Sequence, residues 1–341
     1  MRLNTWMNSG IAAGLSIAIS LGAGMTQAAD YKLTISSWTP MSAAMNAIMW
    51  PELTKRIEEA TDGRVTAEIK LNLAPPPAQF DIVQDGAADM SWIFHGYNPG
   101  QFVTTKLAEL PGFEASSENL SVAYWRTYEK YLSKANEHDG VKVVGLMVHG
   151  PGQINTSNPV SSLSEAKGLK IRVGGGVASM AAEHIGAVGM NVPSPKLYET
   201  LASHVADGTL SPIESRKSFN LVEVAPYVYE MPGGFYRGSF AIIMNEDTFE
   251  AFPADIQKAL EGVLGEATSR LGGEMWDQID KAGREYTQQT EGNVITLASE
   301  ADQASWKEMR SEIVESVLAE IDKNGVDSKV AYEYMTEQLN K

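Results

Sequence analysis

Residues 168–189, GLKIRVGGGVASMAAEHIGAVG, change period within a few positions. Leu169, Ile171 and Val173 alternate with Lys170 and Arg172, the spacing of a strand with one apolar face. Gly174 to Gly176 follow, and then an apolar run of helical character. A strand that gives way to a helix implies an α/β layered fold, and the rest of the chain repeats the alternation. YKLTISSW (31–38) and TDGRVTAEIKL (61–71) read as strands. Residues 41–60 between them have helical spacing, with Pro51 placed to kink or split the helix. FDIVQDGAADMSWIF (80–94) reads as a helix, a stop at Gly86 and a short strand. A longer helix at 116–140 precedes the strand VKVVGLMVHG (141–150). Residues 252–289 read as one long helical region opened by Pro253. NVITL (293–297) is a strand, and Ser299 with Asp302 starts a last long helix reaching about Asn324. VQDGAADMSW and LASHVADGTL each end a helix, pass Ala-Asp and begin a strand, which favours two related lobes.

The first 28 residues have a separate character. Arg2 gives a short basic start, residues 10–24 are an apolar run, and TQAAD supplies small residues for cleavage after Ala28 or Ala29. That is the plan of a secretory signal peptide, so export to the periplasm is expected. No later run is apolar enough to expect direct membrane insertion. An exported chain with no cysteine has no disulfides, and its core alone must hold it together. A length of 341 residues suffices for that and suggests two lobes. The formal net charge is −16, and loss of Arg2 deepens it by one. Such a surface repels nucleic acid and anionic lipid, so any anion site has to be made locally.

Covalent chemistry has little support. The five histidines form no HxxxH pair and there is no thiol, so no metal site is expected. The G-x-S-x-G and G-x-x-x-x-G-K-[ST] patterns are missing. GGGVAS has two of the glycines of a dinucleotide fingerprint but serine at its sixth place. No cofactor is called for.

Arg172 is the residue to explain. One reading points it outward, to solvent or a surface carboxylate. In the other, helices cover both faces of the sheet, and the strand's carboxyl end opens into the crevice where α/β folds bind ligands. There its planar guanidinium matches a carboxylate.

GLKIRVGGGVASMAAEHIGAVGMNVPSPKLYETLASHVADG resembles the core of the solute-binding proteins of TRAP transporters, the DctP-type periplasmic family. QFDIVQDGAADMSW and FAIIMNEDTFEAFPADIQKAL (240–260) are similar to its first-lobe unit and its return strand. The resemblance runs in order from residue 31 to about 323. It implies a two-lobed flytrap fold with a long helix, about 253–289, spanning both lobes. Lobe I then comprises 29–150 and 236–256, and lobe II 151–235 and 257–341. It also implies capture of an organic acid and delivery to TRAP permease subunits in the membrane, without catalysis. The family's strand arginine falls on Arg172, which would grip the substrate carboxylate.

Other positions depart from the family or refine it. Gln153 stands where sugar-acid-binding members have a second arginine, which puts a double-arginine clamp in doubt. Ser211 takes the place of a ligand-touching asparagine, and His204 that of a glycine at a helix end. Trp38 and Trp92 follow strands and fall at the crevice edge, with Phe94, Tyr97, Phe235 and Tyr236 also near it. Tyr236 has a hydroxyl to offer a ligand. Glu214 either receives a ligand hydroxyl or amine, or pairs with Arg216 or Lys217 as a structural bridge. On closure Arg172 and Gln153 from one lobe would meet Trp38 and Trp92 from the other. One arginine among aromatics favours a monocarboxylate with an apolar or aromatic body, or a 2-oxo or 2-hydroxy acid. The alternatives are a ligand sensor serving a kinase, or a periplasmic hydrolase or isomerase.

Overall fold

A computed structural model describes residues 29–339. The expected leader, residues 1–28, lies outside the described residues. The strands in chain order are β1 (Tyr31–Ser37), β2 (Val65–Leu71), β3 (Met90–Phe94), β4 (Val141–Val148), β5 (Gly152–Thr156) and β6 (Lys170–Val173). They continue with β7 (Val188–Asn191), β8 (Gly208–Pro212), β9 (Tyr227–Glu230), β10 (Ser239–Asn245) and β11 (Val294–Leu297).

Two sheets organise two lobes. The first has the order β2-β1-β3-β10-β4, with β2, β1 and β3 parallel and β10 inserted antiparallel between β3 and β4. The second has the order β11-β9-β5-β8-β6-β7. Helices cover the sheets, so strands such as β3 and β10 are buried along their whole length.

The chain passes between lobes at His149–Pro151, at 231–238, and along the helix Glu266–Gln289. The first two passages pair with each other. His149 N–H donates to Gly238 O (3.1 Å), Gly152 N–H to Tyr236 O (2.9 Å), and Phe235 N–H to Gly152 O (2.9 Å).

The long helix is shorter than the spacing predicts. Residues 252–289 form two helices, Ala254–Glu261 and Glu266–Gln289. The break falls at Gly265, whose φ of 77° only glycine adopts freely, and whose N–H reaches the Val144 carbonyl of β4 (2.6 Å). From there the helix lies on Ser117–Lys130 and β4 in the first lobe and on Ser215–Ser218 in the second. Its glycines permit that contact. A Cβ at Gly273 would sit 2.4 Å from Glu118 Cα and 2.6 Å from Ser117 O, both backbone atoms. Gly273→Ala is therefore expected to destabilise by about 1–3 kcal/mol through overpacking, read as a lower urea midpoint with unchanged slope.

Other local expectations meet the fold directly. Pro51 lies just after a π-turn over Met45–Met49 in a helical run that continues as the helix Trp50–Ala60, and the wider turn is where the ladder accommodates its missing N–H. His204, in the place of a helix-end glycine, has φ 56°, a left-handed conformation that His tolerates better than most residues. Ser299 accepts from Asp302 N–H at the start of the helix Glu300–Lys323. The helix Ser328–Gln338, at the end of the segment expected in lobe II, packs instead on Ser117–Lys130 of the first lobe. Its Tyr334 holds it there, edge-on to Tyr131 and under the Lys130 ammonium at 4.1 Å. Among the described residues no helix is long and apolar enough to cross a membrane.

Candidate ligand-binding cleft

Carboxyl ends of strands from both sheets converge on one space between the lobes. β1 leads to Trp38, β3 ends at Phe94, β4 leads to His149, β6 carries Arg172, and β8 carries Ser211. The space measures about 530 Å³, including the part open to solvent.

One wall is aromatic. Trp38 and Trp92 stack with ring centres 4.0 Å apart and planes 13° from parallel. Trp38 Nε1–H donates to Trp92 O (2.9 Å), so the pair is fixed before any ligand arrives. Tyr97 meets Trp38 edge-on, and Phe240 stacks on Trp276 (5.3 Å, 22°) farther along.

Arg172 faces this wall and is 4% exposed. Its Nε–H donates to the Val192 carbonyl (2.7 Å), which aims the guanidinium. Neither terminal nitrogen has a hydrogen-bond partner or a carboxylate counter-ion among the described residues. The outward reading of Arg172 is thus excluded. Arg216 shows what a structural buried arginine looks like here: Thr287, Asn155, Asn293 and the carbonyls of Ala225 and Pro226 take its donors.

The glycines after β6 have a packing cause. A Cβ on Gly175 would lie 2.0 Å from the Gly96 carbonyl oxygen, and one on Gly176 would lie 2.2 Å from Glu109 Oε2. They let the second lobe touch the first beside the cleft, and they form no dinucleotide cradle. Glu109 joins the lobes at that point, accepting from Val177 N–H (2.9 Å) and Ser239 Oγ–H (2.7 Å). Burial pushes its carboxyl up to about 7.

The other sequence candidates divide. Ser211 lines the cleft, and its hydroxyl oxygen accepts from Asn155 Nδ2 (3.2 Å). Tyr236 lines it too, its hydroxyl donating to the Leu210 carbonyl (3.2 Å). Glu214 lines it, but forms no bridge to Arg216 or Lys217. Its carboxyl accepts from the Ser215 hydroxyl (2.8 Å) and from Ser218, and burial raises its pKa. Asp280 lies behind it, accepting from Glu214 N–H (3.1 Å), and burial together with Glu214 raises it to about 7. Gln153 does not reach the cleft. Its amide is engaged at both ends by Met231, donating to the carbonyl (3.1 Å) and accepting from the N–H (2.8 Å), which ties β5 to the end of β9. Phe235 is likewise elsewhere, buried against Trp306. Among the lining residues that the sequence reading did not single out are His149, Phe240 and Trp276. Trp92 sits in the middle of β3 and not after it, whereas the strand-end rule that found Trp38 applies equally to His149.

Residues 37–321 match the family described as bacterial extracellular solute-binding protein, family 7. The chain belongs to that family. It is a TRAP solute-binding protein of two-lobed α/β fold, a receptor and not an enzyme. A TRAP periplasmic solute-binding protein from Bordetella bronchiseptica, with bound (R)- and (S)-mandelate, is 36% identical, with a TM-score of 0.87 over 91% of this chain and 98% of that one. A marine-metagenome TRAP solute-binding protein specific for aromatic acid ligands, in complex with 3-hydroxybenzoate, is 26% identical, with a TM-score of 0.84 over 91% and 98%. A Comamonas testosteroni protein named outer membrane transporter protein TsaT is 26% identical over 92% of this receptor and 93% of its own length.

Proposed function

We propose that this receptor captures an aromatic monocarboxylate in the periplasm and hands it to TRAP permease subunits. The observation that carries the proposal is a buried guanidinium with unpartnered terminal nitrogens, set opposite a fixed tryptophan stack. Arg172 grips the carboxylate in a two-pronged pair, and Ser211 has its hydroxyl hydrogen left to add a third bond. The Trp38–Trp92 stack covers the body of the ligand, with Tyr236 beside it. Two charge-assisted bonds contribute about 3–6 kcal/mol. Micromolar affinity needs about 8 kcal/mol, so burial against the aromatic wall must supply the rest after the entropic cost of binding. The relatives with mandelate and 3-hydroxybenzoate support an aromatic acid.

Charge limits the ligand further. Arg172 is the one cationic side chain lining the cleft among the described residues, since burial keeps His149 neutral. A second carboxylate would enter without a partner, at a cost of several kcal/mol. A thermal-melt panel checks this. Benzoate- and mandelate-class acids are expected to raise Tm, and succinate, malate and glucuronate to leave it unchanged. A rise with dicarboxylates and none with aromatic acids would refute the assignment.

A further inference from the structure

His149 is a polar group of the cleft with no use in the reading above. It follows β4 directly and is 4% exposed. Its Nδ1 lies 2.6 Å from the Gly150 carbonyl oxygen. A carbonyl only accepts, so the ring proton is on Nδ1, and the longer approach of Gly238 N at 3.4 Å does not compete. The lone pair is therefore on Nε2. His149 lines the cleft, and its Nε2, which lies against Gly238, has no hydrogen-bond partner among the described residues. Tyr236, Phe240 and Trp276 hold the ring edge-on at 5.1, 5.9 and 5.9 Å.

The acceptor stands near the carboxylate grip. Tyr236 links them: its ring abuts His149, and its hydroxyl reaches Leu210, the neighbour of Thr209, which pairs in register with Arg172. Burial, helped by the charges of Arg237 and Arg172, pushes the imidazole down to about 3, so Nε2 stays an acceptor at any periplasmic pH.

We infer that His149 Nε2 accepts a hydrogen bond from a hydroxyl next to the ligand's carboxylate, which selects 2-hydroxy acids over their 2-oxo and deoxy counterparts. A 2-oxo acid sets a carbonyl lone pair against the imidazole lone pair. A deoxy acid leaves Nε2 dry and unpaired. The inference rests on Arg172 taking the carboxylate.

Calorimetric titration of the purified receptor with mandelate, phenylacetate and benzoylformate tests it. Mandelate is expected to bind about tenfold or more tighter than phenylacetate, and benzoylformate weakest. In His149→Leu the preference should vanish, mandelate binding no tighter than phenylacetate, whose own affinity rises because no acceptor is left unpaired. In wild-type receptor with ¹⁵N-labelled histidine, mandelate should move the Nε2 resonance and phenylacetate should not; this needs no variant to fold. Equal wild-type affinities for mandelate and phenylacetate, or an unmoved Nε2 resonance with mandelate bound, overturn the hydroxyl contact. If that binding is still abolished by Arg172→Ala, the carboxylate grip survives. If none of the three acids binds, both readings fall.

Discussion

Arg172→Ala is expected to weaken binding of an aromatic acid by about 10²–10⁴-fold while leaving the ligand-free receptor as stable as wild type to within about 1 kcal/mol. The loss follows from removing both charge-assisted bonds to the carboxylate. The unchanged stability follows from what Arg172 does in the empty cleft, where its one protein bond goes to Val192 O and its charge has been taken out of water without a counter-ion. Removing an unpaired buried charge relieves a desolvation cost that offsets the lost bond. Arg172→Lys should not rescue binding, because an ammonium lacks the planar fork. Calorimetry and urea unfolding on the same preparations separate the two effects. A variant that unfolds easily and still binds the acid would refute the assignment.

Stability is expected to be nearly flat between about pH 4.5 and 6.5 and to fall on both sides. Buried acids set the alkaline limb. Glu109 titrates near 7 in the folded chain against 4.5 ordinarily, and Asp280 near 7 against 3.8. The folded state holds these protons longer than the unfolded state, so their contribution drops as pH rises from about 4.5 to 7 and levels off above that; the histidines offset the drop up to about 6.5. Buried histidines set the acid limb. His138 and His149 are depressed to about 3 from 6.5, and His95 lies well below that ordinary value, all by burial. The folded state binds fewer protons there, so stability drops as pH falls from 6.5 toward 3. Between those limits the two groups work in opposite directions. Glu109→Gln keeps one acceptor, for Val177 N–H, and turns its amide N–H toward Ser239 Oγ, and should remove on the order of 3 kcal/mol of the loss that accumulates between pH 4.5 and 7. Urea unfolding at pH 3.5, 5.5 and 8.5 reads all three regimes. Stability that climbs from pH 6.5 to 8.5 would show that these carboxyls are not held as the fold implies.

What could be read before folding was local. Leu169, Ile171 and Val173 set the phase of β6, and that phase put Arg172 on the opposite face at a strand end. Trp92 reaches the cleft from the middle of β3, whereas Trp38 followed from the same end-of-strand logic. Gln153 did not, because its role depends on Met231, which is 78 residues away in sequence and adjacent only once β5 and β9 pair. Glu214 next to Arg216 and Lys217 suggested an ion pair, yet the turn directs Arg216 into Asn155 and Thr287 and leaves Glu214 with serines. The break at Gly265 was hidden because Gly262, Gly272 and Gly273 lie nearby and remain in helical conformation; tertiary contact with Val144 selects the one that turns. The helix Ser328–Gln338 did carry a local signal, an Asp327 side chain capping Val330 N–H.

The two passages between the lobes are hydrogen-bonded to each other as a single ribbon. Neither can twist alone, and the helix Glu266–Gln289 braces the same axis, so the connections between the lobes leave one line about which they could turn. Every shut receptor then presents the outer faces of its two lobes at one fixed angle.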